Sequence, residues 1–93
     1  MLTEIIKAIE EQRLISLAYK GSVRIVEPHT YGCSKKGVNA LCAWQVEGAS
    51  GHGYRLFLEP DMQSVSLTPE RFDGPRPDYR SGDPQFTRIY AEL

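Results

Sequence analysis

The sequence predicts a mainly β domain: a small five-stranded barrel behind one N-terminal helix, with an extended C-terminal arm ending in a further strand. Three observations predict it. Only residues 3–12 carry an apolar repeat of three and four. From Leu14 to Leu67 the apolar residues recur with a period of two, in short runs parted by glycine, proline and charged turns. Beyond Leu67 the chain turns rich in proline, glycine and charge. Ninety-three residues make one domain. We read 1–72 as the globular unit and 73–93 as an arm packing on it.

In the helix, Leu2, Ile5, Ile6 and Ile9 form one apolar stripe. Thr3 is the expected N-cap, and Glu4 suits the positive end of the helix dipole. So short a helix is marginal alone and has to dock. Leu14–Tyr19 alternates as a first strand. Lys20-Gly21 is a two-residue turn in which glycine supplies positive φ. Val23–Tyr31 is the second strand, with Val23, Ile25, His29 and Tyr31 on one parity. Pro28 lacks a backbone donor, which puts it at an edge or a bend. Gly32–Gly37 reads as a loop. Val38–Val46 is apolar on both parities and so predicts a strand covered on both faces, one cover being the helix. Glu47–Gly53 is a flexible hairpin loop and Tyr54–Leu58 the fourth strand. Pro60 fits a single 3-10 turn over residues 59–62. Gln63–Leu67 is the fifth strand, and Thr68-Pro69 predicts one helical turn ending near Phe72. Residues 73–84 read as the extended arm, and 87–93 as a final strand. Five short strands with a 3-10 turn before the last is the pattern of a small SH3-like or Sm-like barrel, and a leading helix favours the Sm-like variant.

Composition narrows the function classes. Net charge is −1, so the chain is not a globally basic nucleic-acid binder. Charge is unevenly placed, however. Between residues 13 and 37 stand Arg13, Lys20, Arg24, Lys35 and Lys36 against the single acid Glu27. No run of apolar residues is long enough to span a membrane, and the start M-L-T-E-I-I-K lacks a basic segment followed by an apolar core. A cytoplasmic location is expected, with Cys33 and Cys42 as free thiols.

Several pieces of the chain carry a resemblance: A-I-E-E-Q-R-L-I-S-L-A-Y (8–19), V-R-I-V-E-P-H-T-Y-G (23–32), K-K-G-V-N-A-L-C-A-W-Q-V (35–46), Y-R-L-F-L (54–58) and S-V-S-L (64–67). In this order they resemble the WYL-domain family. The stretch F-D-G-P-R-P-D-Y-R-S-G-D (72–83) looks like the tail of its short standalone members. The resemblance implies an Sm-like or SH3-like barrel that binds a nucleotide or nucleic acid and acts as a sensor or regulatory module, often in bacterial transcription regulators and phage-defence or CRISPR-linked systems. Tyr19, Arg24, Pro28 and Arg55 stand at its motif positions. Two positions depart from it. Asn39-Ala40-Leu41 replaces the tripeptide that names the family, and Asp61 stands where an arginine is expected. No helix-turn-helix precedes the barrel, so a DNA-reading repressor is not expected.

The candidate contact set is Arg24, Arg55, Tyr31, Lys35, Lys36 and Tyr19. Arginine offers two-pronged donors to phosphate, and Arg24 and Arg55 on one side would clamp a diester. The competing reading of Arg24 is an ion pair with Glu27. Lys35-Lys36 beside Gly37 suits phosphate contact from a loop, or is simply a solvated tip. Tyr19, Tyr31 and Trp44 are candidates to stack bases, although Trp44 in an apolar strand reads first as core. Gln45 faces away from Trp44. His29, Cys33, Cys42 and His52 match no zinc spacing. The loop G-A-S-G-H-G is neither a nucleophile elbow nor a phosphate loop. No enzyme activity and no cofactor are expected. The arm, with Arg71, Asp73, Arg76, Asp78, Arg80, Asp83 and Arg88, reads as solvated or internally paired. The alternative function is a protein-interaction module in which Ile89 and Leu93 on the last strand pair across a homodimer or cap a partner.

Overall fold

The computed structural model describes residues 2–49 and 51–93. One helix, α1 (Thr3–Glu11), precedes β1 (Arg13–Tyr19), β2 (Ser22–Ser34), β3 (Asn39–Glu47) and β4 (Gly53–Leu58). A 3-10 turn (Glu59–Asp61) leads into β5 (Met62–Arg71), and β6 (Phe86–Glu92) follows the arm. The six strands form one antiparallel sheet in the order β4-β3-β2-β1-β5, with β6 added to β2. The sheet is not closed into a barrel, since β4 and β5 form its two ends.

β2 organises the sheet. One of its edges pairs with β3 over most of its length. The other edge pairs first with β1, from Ser22 to Val26, and then with β6, from Thr30 to Ser34. Pro28, which has no N–H to give, lies in the gap between these two partners, and the ladder to β3 slips there. The slip separates residues that simple alternation puts together. Tyr31 pairs with Leu41 on the core face. His29 turns to the opposite face, toward Phe72 and Tyr79.

The core lies between the sheet and α1. Ile5, Ala8 and Ile9 pack with Ile15, Leu17, Val26, Tyr31, Leu41, Ala43 and Phe57. The helix stripe is thus docked as its spacing requires. Its N-cap position is Leu2 and carries no side-chain cap. The Thr3 hydroxyl turns instead to the Glu4 carboxylate at 3.2 Å. Gln12 ends the helix in the left-handed region at φ 53. Lys20 and Gly21 both take positive φ, 49 and 82, as the mirror-image hairpin turn demands.

Two expectations about strand bounds are corrected. Gly32–Ser34 is strand rather than loop, because β6 supplies the missing hydrogen-bond partners. Residues 68–71 continue β5 rather than forming a helical turn, held by Arg13 Nε donating to Thr68 O at 2.8 Å and by the register of Arg71 opposite Arg13. β3 is covered on both faces as expected: Leu41 and Ala43 share the core with α1, and the arm covers the outer face, with the Arg76 guanidinium 5.1 Å above the Trp44 ring.

Candidate functional site

Cross-strand register decides which charged residues meet. Arg24 lies opposite the core residue Leu17, and Arg55 opposite the core residue Ala43. Both arginines therefore project from the core-facing side of the sheet, from β2 and β4. Gln45 on β3 stands between them, fully buried. Its amide nitrogen donates to the carbonyls of Ala49 and Gly51, at 2.6 and 2.7 Å. Arg55 reaches the same loop, with Nη2 3.5 Å from Gly51 O, and Nη1 donates to Tyr54 O at 2.8 Å. Arg24 and Arg55 thus flank the loop that joins β3 to β4.

Arg24 is half-buried and bonded through each of its three nitrogens, with three of its five N–H donors used. Nε donates to Ser22 Oγ at 2.8 Å, Nη1 to Gln45 Oε1 at 3.2 Å and Nη2 to Tyr19 O at 3.3 Å. The guanidinium also lies 5.7 Å from the centre of the Tyr19 ring. All three hydrogen-bond partners are neutral. Among the described residues no carboxylate pairs with Arg24. The ion pair with Glu27 does not form, because Glu27 points to the opposite face and is taken by Arg76.

Tyr19 is buried against Phe57, edge to face at 4.9 Å, and its hydroxyl accepts the Leu58 N–H at 3.1 Å. Lys20 places its ammonium 5.6 Å from the same ring. Lys20, Arg24 and Arg55 therefore gather around one end of the core face. Lys35 and Lys36 are exposed at the far end of β2, beside Gln85 of the arm, and are not part of this group. Tyr31 is fully buried. Its hydroxyl accepts the Leu2 N–H at 2.8 Å and donates to Glu59. Burial, reinforced by the Glu59 carboxylate, pushes its ionisation well above the usual phenol range. Tyr31 offers no ring face to a base.

A second polar cluster, on the outer face, went unforeseen. The Arg76 guanidinium grips the Glu27 carboxylate through two bonds of 2.8 Å. The Arg76 N–H donates to His29 Nε2 at 3.0 Å, while His29 Nδ1–H donates to Glu27 O at 2.8 Å. This pair of bonds defines a neutral imidazole with its proton on Nδ1. Burial lowers the basicity of His29, an effect opposed by its Glu27 neighbours. The ring stacks on Phe72 and meets Tyr54 and Tyr79 edge-on. The signal available in sequence was weak: one acid in a basic strand, and one arginine among several in the arm. Among the described residues no group of histidine, cysteine and acids is placed to hold a metal ion.

No protein-family model, no curated protein and no solved structure matches this chain. Among the described residues no helix is long and apolar enough to cross a membrane.

Proposed function

We propose that this chain is a non-enzymatic regulatory or sensor module that binds a nucleotide or a single-stranded nucleic acid through its phosphates. The observation that carries the reading is the state of Arg24. A half-buried guanidinium held only by neutral oxygens keeps its full positive charge in a poorly solvated place, and an anion is the ligand that balances it. Arg55 and Lys20 add charge at the same end of the sheet. Arg24, Arg55 and Lys20 are the proposed contacts, and Tyr19 is the platform that positions Arg24. Lys35 and Lys36 lie far enough away to serve only a ligand several nucleotides long. The resemblance to the WYL-domain family supports the reading, and with it we propose a cytoplasmic setting in transcription regulation or phage defence.

The test is a titration with mononucleotides and short single-stranded RNA and DNA at low and at physiological salt. Phosphate binding weakens steeply as salt rises. Arg24 also holds the buried Gln45, so Arg24→Lys with Arg55→Ala, checked for unchanged folding, is the informative variant. Affinity should drop at least tenfold, about the effect of losing one charge-assisted bond. No binding at low salt, or equal binding by the variant, overturns the reading.

A second reading, a protein-interaction module, is favoured by one feature. Among the described residues β4 pairs with β3 alone, and its Leu56 is exposed. Such an edge accepts an added strand. β6, the expected dimer strand, instead spends one edge on β2 of its own chain. Light scattering of the full chain across a range of concentrations tests self-association, and a monomer throughout excludes the homodimer.

A further inference from the structure

The arm does not lie flat on the sheet. Asp78 and Gly82 both take positive φ, 71 and 66, and residues 78–80 and 83–85 line a pocket together with Thr30 of β2, Cys42 of β3 and Tyr54 of β4. The space beneath is a cavity of about 290 Å³, open to solvent, at the lower end of the range for small-molecule sites. Its floor is Thr30 and Cys42, its walls include Tyr54 and Tyr79, and Asp78, Arg80 and Asp83 stand along the arm side. It lies on the face opposite Arg24 and Arg55, so it is independent of the phosphate site proposed above.

The lining has a chemical character of its own. Tyr54 and Tyr79 have their hydroxyls tied to the carbonyls of Arg76 and Leu93, at 2.9 and 2.7 Å, so what they present inward is aromatic carbon. The Asp83 carboxylate is fixed by the backbone and side-chain nitrogens of Gln85, at 2.9 and 3.2 Å, but those donors are neutral. Among the described residues neither Asp78 nor Asp83 has an ion pair. Two carboxylates against the one guanidinium of Arg80 leave the lining net negative. The polar groups of floor and walls add no charge. Burial pushes the Cys42 thiol up to about 11, with the Asp83 charge helping, and raises both tyrosines. A net negative cavity walled by aromatic rings favours a cation with an apolar surface, which gains from the ring faces and from the carboxylates together. Among the described residues no group of three or more histidines, cysteines and acids is placed here to hold an inorganic cation.

We infer that the cavity beneath the arm is a binding site for an alkylammonium cation, with Tyr54 and Tyr79 contacting its carbon shell and Asp78 and Asp83 balancing its charge. The probe is choline. The control is its uncharged isostere, in which a tert-butyl group replaces the trimethylammonium. Both are titrated into the full chain and followed by amide chemical shifts. Choline should give saturable shifts at Thr30, Cys42, Tyr54 and Tyr79. The isostere should bind about tenfold more weakly, the scale of a desolvated cation–ring contact. Asp78→Asn should weaken choline by about fivefold, the upper end for a partly screened charge pair, and leave the isostere unchanged. This variant retains the fold because asparagine tolerates the left-handed conformation of Asp78. Equal binding of the two probes overturns the inference. So does an Asp78→Asn variant with unaltered choline affinity, or the absence of saturable shifts at these four residues.

Discussion

Tyr31 shows how a side chain that reads as a binding group becomes a structural one. Its ring is enclosed by the core, and its hydroxyl joins three parts of the chain: β2, the start of α1 through the Leu2 N–H, and the 3-10 turn through Glu59. A buried hydroxyl with two partners is costly to lose, because the N–H left behind has been taken from water. Tyr31→Phe keeps the ring and should lower stability by about 1–2 kcal/mol, measured by urea denaturation. It should leave nucleic-acid binding unchanged. An unaltered urea midpoint would show that water replaces the hydroxyl at Leu2. His29 and Tyr31 share a parity, yet one packs against the arm and the other against the core. The ladder slip beside Pro28 explains this, and no alternation rule foresees it.

At the scale of elements, β2 is a single strand with two successive neighbours on one edge. The change of neighbour requires a close approach by β6, and Gly32 permits it. A methyl group at Gly32 would sit 2.9 Å from Ile89 Cα and closer still to the carbonyl of Arg88. These are backbone atoms, which cannot swing aside. Gly32→Ala should therefore force β6 off β2 and cost about 1–3 kcal/mol, the usual range for overpacking. Hydrogen exchange provides the sharper check. Amides of β6 should lose protection in this variant while those of β1 and β3 keep theirs. Gly37 differs: a methyl there would meet open space, but its φ of 77 makes it a glycine for conformation rather than for room.

At the scale of the whole molecule, the arm and β6 are bound into the domain through His29. The imidazole accepts from Arg76, and its own carbonyl accepts the Leu93 N–H at 3.0 Å. Protonating Nε2 would replace an acceptor with a donor facing the Arg76 N–H, while the Glu27 carboxylate nearby only partly compensates. Burial lowers the folded-state pKa of His29 relative to the unfolded value, against the opposing pull of Glu27. Between those two values the unfolded chain binds the proton and the folded chain does not. Stability is thus fully present above about pH 6.5, the unfolded value, and declines as pH falls below it. Urea midpoints at pH 7.5 and 5.5 (roughly one unit either side of that value) should show the loss, and His29→Gln should flatten it. Equal midpoints in the unmodified chain would mean that the arm is not held through the neutral imidazole.

The amphipathic helix, the strand runs, the Lys20-Gly21 turn and the 3-10 turn at Pro60 were all legible in the sequence, because each depends on local periodicity or on the backbone limits of glycine and proline. Part of the candidate site was legible too. Arg24 on β2 and Arg55 on β4 do share a face and a loop, as two-residue alternation on strands either side of β3 allows. What only the tertiary structure decided was the pairing. It gave Glu27 to Arg76 rather than to Arg24, extended β2 by supplying β6 as a partner, sent Lys35 and Lys36 to the far end of the sheet, and turned Tyr31 inward. These outcomes depend on contacts between residues dozens of positions apart and on one slip in a ladder. A strand's sequence states which residues alternate. It does not state which neighbour satisfies each edge, and that choice set the partners of Arg24, Glu27 and Arg76.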